Sequence, residues 1–176
     1  MKKIVFVLCL AISLNSCGSL VNIPLKGSYV DKPIEITTNK PYEKVWSNII
    51  DFFATKGLSI KLIDKSSGLI ISEKTSLIDS YSFEDENGKL INPSAFVALD
   101  RNEITGFQAI KPEKITAEWN IRIKAVENNI TVINVNLTNI DAVMNFPASQ
   151  YAAGRIITFT GKSTGNFEKV IADIVK

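Results

Sequence analysis

Six carboxylates in the middle of the chain, Asp79, Glu84, Asp100, Glu103, Glu113 and Glu118, are the side chains best suited to catalysis. Two of them converging across a cleft, one protonated and one ionised, would have the parts for glycosidic hydrolysis. Their spacing brings no particular pair together, and such residues are ordinarily solvated surface. Composition excludes other reaction classes more firmly. The chain contains no histidine, so a Ser/His/Asp triad or a Cys/His pair has no base, and zinc lacks its usual nitrogen ligand. Gly161-Lys162-Ser163 has the ending of a phosphate-binding loop, but Ile156 stands where that motif needs its first glycine. Ser163 or Thr164 is expected to cap a helix instead, and no nucleotide is expected to bind. Read as a calcium loop around Gly88, the run Glu84-Asp85-Glu86-Asn87-Gly88 would put Phe83 and Ser94 at positions that require carboxylates. It reads as a hairpin turn. Neither a metal nor an organic cofactor is expected, and the domain is expected to be non-catalytic.

The two cysteines are Cys9 and Cys17, and both belong to the N-terminal leader or its end. Lys2 and Lys3 precede an apolar run at 4–12, which gives way to small and polar residues. This is the order of an export signal. A membrane-spanning helix needs about 20 apolar residues, and this run has about half that number. Leu14-Asn15-Ser16-Cys17 resembles the lipobox of bacterial lipoproteins, in the looser form found in the Bacteroidetes type. The resemblance implies a signal peptide at 1–16, cleavage before Cys17, and lipid on the Cys17 sulfur and on its new amino group. One acyl chain binds a bilayer only marginally, whereas two or three hold a soluble domain stably. The membrane is therefore an expected partner through Cys17, and the folded part keeps neither a free thiol nor a disulfide. Residues 18–22 carry no acidic run, so a periplasm-facing position in the cell envelope is expected, on the outer membrane in preference to the inner.

Loss of the leader removes two of the 20 basic residues and none of the 18 acidic ones. The charges then balance, and no nucleic acid is expected as a partner, because phosphate binding relies on concentrated Lys and Arg. Residues 17–32 are expected to form a lipidated tether and 33–176 a single domain.

Within that domain, Ile34 and Ile36 predict a short strand. A helix is predicted from Pro41 to Gly57 on the spacing of Tyr42, Val45, Trp46, Ile49 and Phe53. Leu58, Ile60 and Leu62, then Ser66-Ser67-Gly68, then the run at 69–75 predict a hairpin. Ile115, Ala117, Trp119, Ile121, Ile123 and Ala125 predict the dry face of a strand, with Thr116, Glu118, Asn120, Arg122 and Lys124 on its wet face. Ile133, Val135 and Leu137 return alongside it after Asn128-Asn129. A run at 156–159 follows, and Phe167, Val170, Ile171, Ile174 and Val175 predict a C-terminal helix. The stretch 76–112 carries no sustained period. An α+β fold is expected, an antiparallel sheet packed on one long N-terminal helix and a C-terminal helix as a two-layer sandwich.

The stretch from Pro41 through Val45-Trp46 and Gly57 to Ser67-Gly68-Leu69-Ile70 is similar to the repeated domain of the C subunit of the outer-membrane β-barrel assembly machinery. That resemblance implies a helix-grip architecture, a curved sheet around a helix. The run Ser163-Thr164-Gly165-Asn166-Phe167-Glu168 also resembles the last-helix start of small envelope lipoproteins. The leading expectation is an envelope lipoprotein that binds another envelope protein through a sheet edge, a long loop or an outer face. An alternative is a carrier of an apolar small molecule, with Trp119, Ile121 and Trp46 lining a cleft between sheet and helix. A carboxylate-based hydrolase is the third.

Overall fold

In a computed structural model, residues 19–105, 108–149 and 153–176 are described. The leader and Cys17, with the signal peptide and lipidation expected there, lie outside the described residues. The elements run β1 (Leu20–Ile23), β2 (Ile34–Thr38), α1 (Tyr42–Thr55), β3 (Ile60–Asp64), β4 (Leu69–Ser72), β5 (Thr75–Ser76), β6 (Tyr81–Ser82), β7 (Val97–Leu99), β8 (Arg101–Ile104), β9 (Lys114–Val126), β10 (Ile130–Phe146), β11 (Arg155–Phe159), β12 (Gly161–Ser163) and α2 (Asn166–Val175). Among the described residues the fold is α+β, with mainly antiparallel sheets and two helices.

The long hairpin of β9 and β10 is the spine of the main sheet. Its strands turn through a short 3-10 segment, Glu127–Asn129, in which Asn129 takes φ +59°. Asparagine tolerates this left-handed conformation better than most residues. The far edge of β10 is shared, with β2 covering Thr131 to Val135 and β11 covering Ala142 to Phe146. On the other side β9 receives β4 and β5, and β3 ends the sheet by pairing with β4. A second sheet joins β12, β7 and β6, the last two in parallel, and β1 pairs with β8 in a two-stranded ribbon.

Pro41 starts α1 because its fixed φ suits the entry and its missing N–H is not needed there. Its carbonyl accepts the amides of Lys44 and Val45 at 3.0 and 3.1 Å. Val45, Ile49 and Phe53 form one buried stripe against the sheet. Gly57, at φ +64°, ends the helix in a conformation that costs glycine nothing. Gly68 is needed for a different reason, since at φ +72° it passes so close to β9 that a Cβ there would lie 1.9 Å from the Ile123 carbonyl oxygen. In α2, Phe167, Ile171 and Val175 face the core. Two of its terminal carbonyls, which have no partner within the helix, are capped by Thr38 Oγ1 on Val175 at 2.9 Å and by Asn48 Nδ2 on Ile174 at 3.0 Å.

Several expectations are corrected. The supposed tether at 17–32 is part of the domain from Ser19 onward, because β1 pairs with β8 and Val30 bridges Ser163. The returning strand runs on to Phe146, since Asn139 at φ +51° absorbs a bulge between Thr138 and Asp141 and pairing resumes. On the supposed wet face of β9, Thr116 and Glu118 are each 8% exposed, and Lys61 and Asn139 both hydrogen-bond the Glu118 carboxylate. On the dry face, Ala125 is exposed near the hairpin tip. The N-cap of α2 is Gly165 with no side-chain cap. Ser163 Oγ instead donates to Glu168, and Thr164 Oγ1 donates to the Ala95 carbonyl while accepting the Asn166 amide.

Candidate functional site

The segment between β1 and β2 has little apolar period, and a carboxylate from a distant hairpin holds it in place. Glu84 sits in the bridged turn that closes Glu84 against Leu90, with Asp85 accepting the amides of Asn87 and Lys89 at 2.8 and 2.9 Å. The Glu84 side chain receives the amides of Lys26 at 2.7 Å and Gly27 at 2.8 Å, and the Tyr29 hydroxyl at 2.5 Å. Glu84 is 8% exposed. Burial pushes its pKa up, but the three hydrogen bonds and the Lys26 charge outweigh burial and leave the carboxyl below its ordinary range. Tyr29 responds in the opposite sense. Burial, then the hydrogen bond and the charge of Glu84, hold its hydroxyl protonated well above the usual tyrosine range.

A second carboxylate fastens the ribbon. Asp100 accepts the Thr160 amide at 2.9 Å on one oxygen and Asn22 Nδ2 at 2.8 Å on the other. Between these two fastenings lies a groove of about 460 Å³, lined by Leu25, Tyr29, Asp100 and Lys162 among others. Both carboxylates accept hydrogen bonds from the protein itself, and these bonds hold the N-terminal segment against the domain.

Of the six carboxylates singled out by type, Glu84 and Asp100 flank that groove, and the other four have partners or exposure of their own. Glu118 accepts Asn139 Nδ2 at 2.7 Å and Lys61 Nζ at 3.3 Å. The Asn139 bond first, and then Lys61, outweigh desolvation and hold its pKa below the ordinary range. Glu113 accepts Asn145 Nδ2, Glu103 pairs with Arg101 at 2.8 Å, and Asp79 is exposed. The shifts resolved at Glu84 and Glu118 are downward, whereas a general acid needs an upward one. Among the described residues no cluster of acidic side chains is arranged to hold a metal ion.

Trp119, Ile121 and Trp46 do not line a cleft together. Trp119 is 3% exposed and enclosed by the rings of Phe53, Phe96 and Phe167, the last edge-on at 3.7 Å between centroids. Ile121 is fully buried, and Trp46 is half-buried on α1, stacked on Tyr42 at 5.9 Å. The apolar side of the sheet packs against Phe53 of α1 and Phe167 of α2 in one buried cluster. Alternation on β9 correctly placed Trp119 and Ile121 on its dry face; the aromatic partners that close around Trp119 come from three distant segments.

The remaining surface feature is β3. It stands at the end of the main sheet, paired with β4 alone among the described residues. Leu62 and Ile63 are 44% and 52% exposed there. The turn that follows is stiffened by Asp64, which accepts the hydroxyls of Ser66 at 2.6 Å and Ser67 at 2.7 Å. Those bonds lower its pKa to about 2. The irregular register between Ile60 and Leu62 marks a bulge beside Lys61, a feature that discourages indiscriminate edge pairing.

No family model and no curated protein matches this chain. Among the described residues no helix is long and apolar enough to cross a membrane.

Proposed function

We propose that the chain is a periplasm-facing envelope lipoprotein, anchored through lipid on Cys17, whose domain is a non-catalytic module for binding another envelope protein, and that β3 is its docking strand. One observation carries the binding reading: among the described residues β3 leaves an unpaired edge with two adjacent exposed aliphatic side chains, Leu62 and Ile63. Strand addition to such an edge draws affinity from main-chain hydrogen bonds and specificity from the flanking side chains. The anchor is supported by the leader and by Leu14-Asn15-Ser16-Cys17, with the outer membrane as the proposed site. The packed apolar face and the hydrogen-bonded carboxylates leave the sheet edge as the surface with the most to offer a partner.

Photo-crosslinking in native membranes tests the proposal. A crosslinker at position 62 or 63 should capture one recurrent protein, whereas the same group at Lys169, exposed on α2, should not. Capture that is equal at both places, or that recovers only this chain, would overturn the docking assignment.

A further inference from the structure

The N-terminal segment meets the domain almost as soon as it leaves the proposed lipid. Ser19 is tied to the end of the β1–β8 ribbon by three contacts: its carbonyl accepts the Thr105 amide at 3.0 Å and the Thr105 hydroxyl at 3.1 Å, and the two hydroxyl oxygens lie 2.9 Å apart. From Cys17 to Ser19 is two residues. Even a fully extended chain spans only about 3.3–3.6 Å per residue, so Ser19 lies within about 7 Å of the acylated residue. The headgroup layer on each side of a bilayer is itself about 5–7 Å deep. The first turn of the ribbon therefore sits at headgroup level whenever the acyl chains are inserted.

The ribbon's composition matches that depth. Leu20 and Val21 follow Ser19 at once, are 42% and 44% exposed, and point to opposite faces of β1. The charges beside them are neutralised locally, since Arg101 and Glu103 pair on the adjoining strand. Asn22, bonded to Asp100 and Asn102, keeps the ribbon attached to the body of the domain.

We infer that the β1–β8 ribbon is a lipid-contacting surface: Leu20 and Val21 enter the headgroup layer of the membrane that holds Cys17, and the domain is seated on the bilayer instead of swinging from it. This rests on the lipidation reading above. Apolar side chains of an anchored segment bury about 5–10 Å into the boundary between headgroups and acyl chains, which is within the reach that the Ser19 fastening leaves.

The test uses the full chain, exported and processed by its own leader, then reconstituted into vesicles of phosphatidylethanolamine and phosphatidylglycerol. The mass of its N-terminal peptide is read first. An unmodified Cys17 overturns the lipidation reading and this inference with it. With acylation verified, hydroxyl-radical labelling of Leu20 and Val21 is compared with that of leaderless Cys17→Ser protein in solution. Seating on the bilayer predicts several-fold protection of Leu20 and Val21 on vesicles and unchanged labelling of Ile63 and Val126, which are also exposed. A second readout places a polarity-sensitive fluorophore on Val21→Cys or Val126→Cys, with spin-labelled lipid as quencher. Quenching several-fold stronger at position 21 supports the seating. Equal labelling or equal quenching at the two places, on acylated protein, overturns it and leaves the lipid anchor standing.

Discussion

Replacing Glu84 with glutamine should release the segment at 24–31 while leaving the main sheet intact. The carboxylate serves three donors at 2.5–2.8 Å from a position 8% exposed. Hydrogen bonds to a charged acceptor contribute about 1.5–3 kcal/mol each. Glutamine keeps one acceptor oxygen but turns an NH2 group toward donors, so one bond is lost outright and another is weakened. A loss of about 2–3 kcal/mol follows, confined to the segment because the core beneath it is unchanged. At about 1.4 kcal/mol per factor of ten, the Lys26 and Gly27 amides should exchange hydrogen about 30- to 140-fold faster. Tyr29→Phe removes one of the same bonds, so the double variant should cost less than the sum of the singles by about 1–2 kcal/mol. The pH dependence has a definite sign. The folded pKa of Glu84 is depressed below its ordinary value of 4.5, so its contribution is present above that value and is lost as pH falls through the folded pKa. The folded pKa of Tyr29 is raised above 10.0, so its contribution is present below pH 10 and fades as the pH climbs beyond it. Native-state hydrogen exchange on wild type, both single variants and the double variant measures all of this. Unchanged exchange at Lys26 and Gly27, or strictly additive effects, would refute the reasoning.

Trp119→Ala should cost about 3–5 kcal/mol in urea denaturation, because it empties the space enclosed by Phe53, Phe96 and Phe167. Gly57→Ala should cost about 1–2 kcal/mol for its left-handed backbone alone, since nothing lies within 4 Å of the added Cβ. Gly68→Ala should cost at least twice as much, because its Cβ meets the Ile123 carbonyl oxygen; similar denaturation midpoints for the two glycine variants would contradict the packing argument. Leu62→Asp and Ile63→Asp should change stability by no more than about 0.5 kcal/mol while abolishing partner capture from membranes.

The elements whose apolar residues repeat within the element itself were legible in the sequence. α1 declared itself through Pro41, the Val45-Ile49-Phe53 stripe and Gly57, and β9 through five alternating buried residues from Ile115 to Ile123. The strand expected at Ala95 to Leu99 is present as β7, Val97–Leu99. β5 and β6 are two residues long, too short to show a period, and what makes them strands is pairing with β9 and β7. The candidate site fails for the same reason. Glu84 binds residues 55 to 58 positions earlier, and nothing local to Glu84 or Tyr29 announces the pairing. A stretch such as 24–31 reads as a tether because its apolar residues are scattered without a period, whereas hydrogen bonds to Glu84 help to fix it in place. Glu168 shows the limit of helical periodicity. It is 1% exposed, yet it is polar, and its place in the core depends on Ser163 Oγ at 2.9 Å and the Leu137 amide at 3.2 Å.

Lipid on Cys17 is the premise from which the membrane position and the seating of the ribbon both follow. Mass spectrometry of the N-terminal peptide from protein purified out of native membranes tests it most directly. The expected result is a chain that begins at Cys17 and carries a diacylglycerol on the sulfur. A mature chain that begins elsewhere, or an N-terminal cysteine with a free thiol, would contradict it.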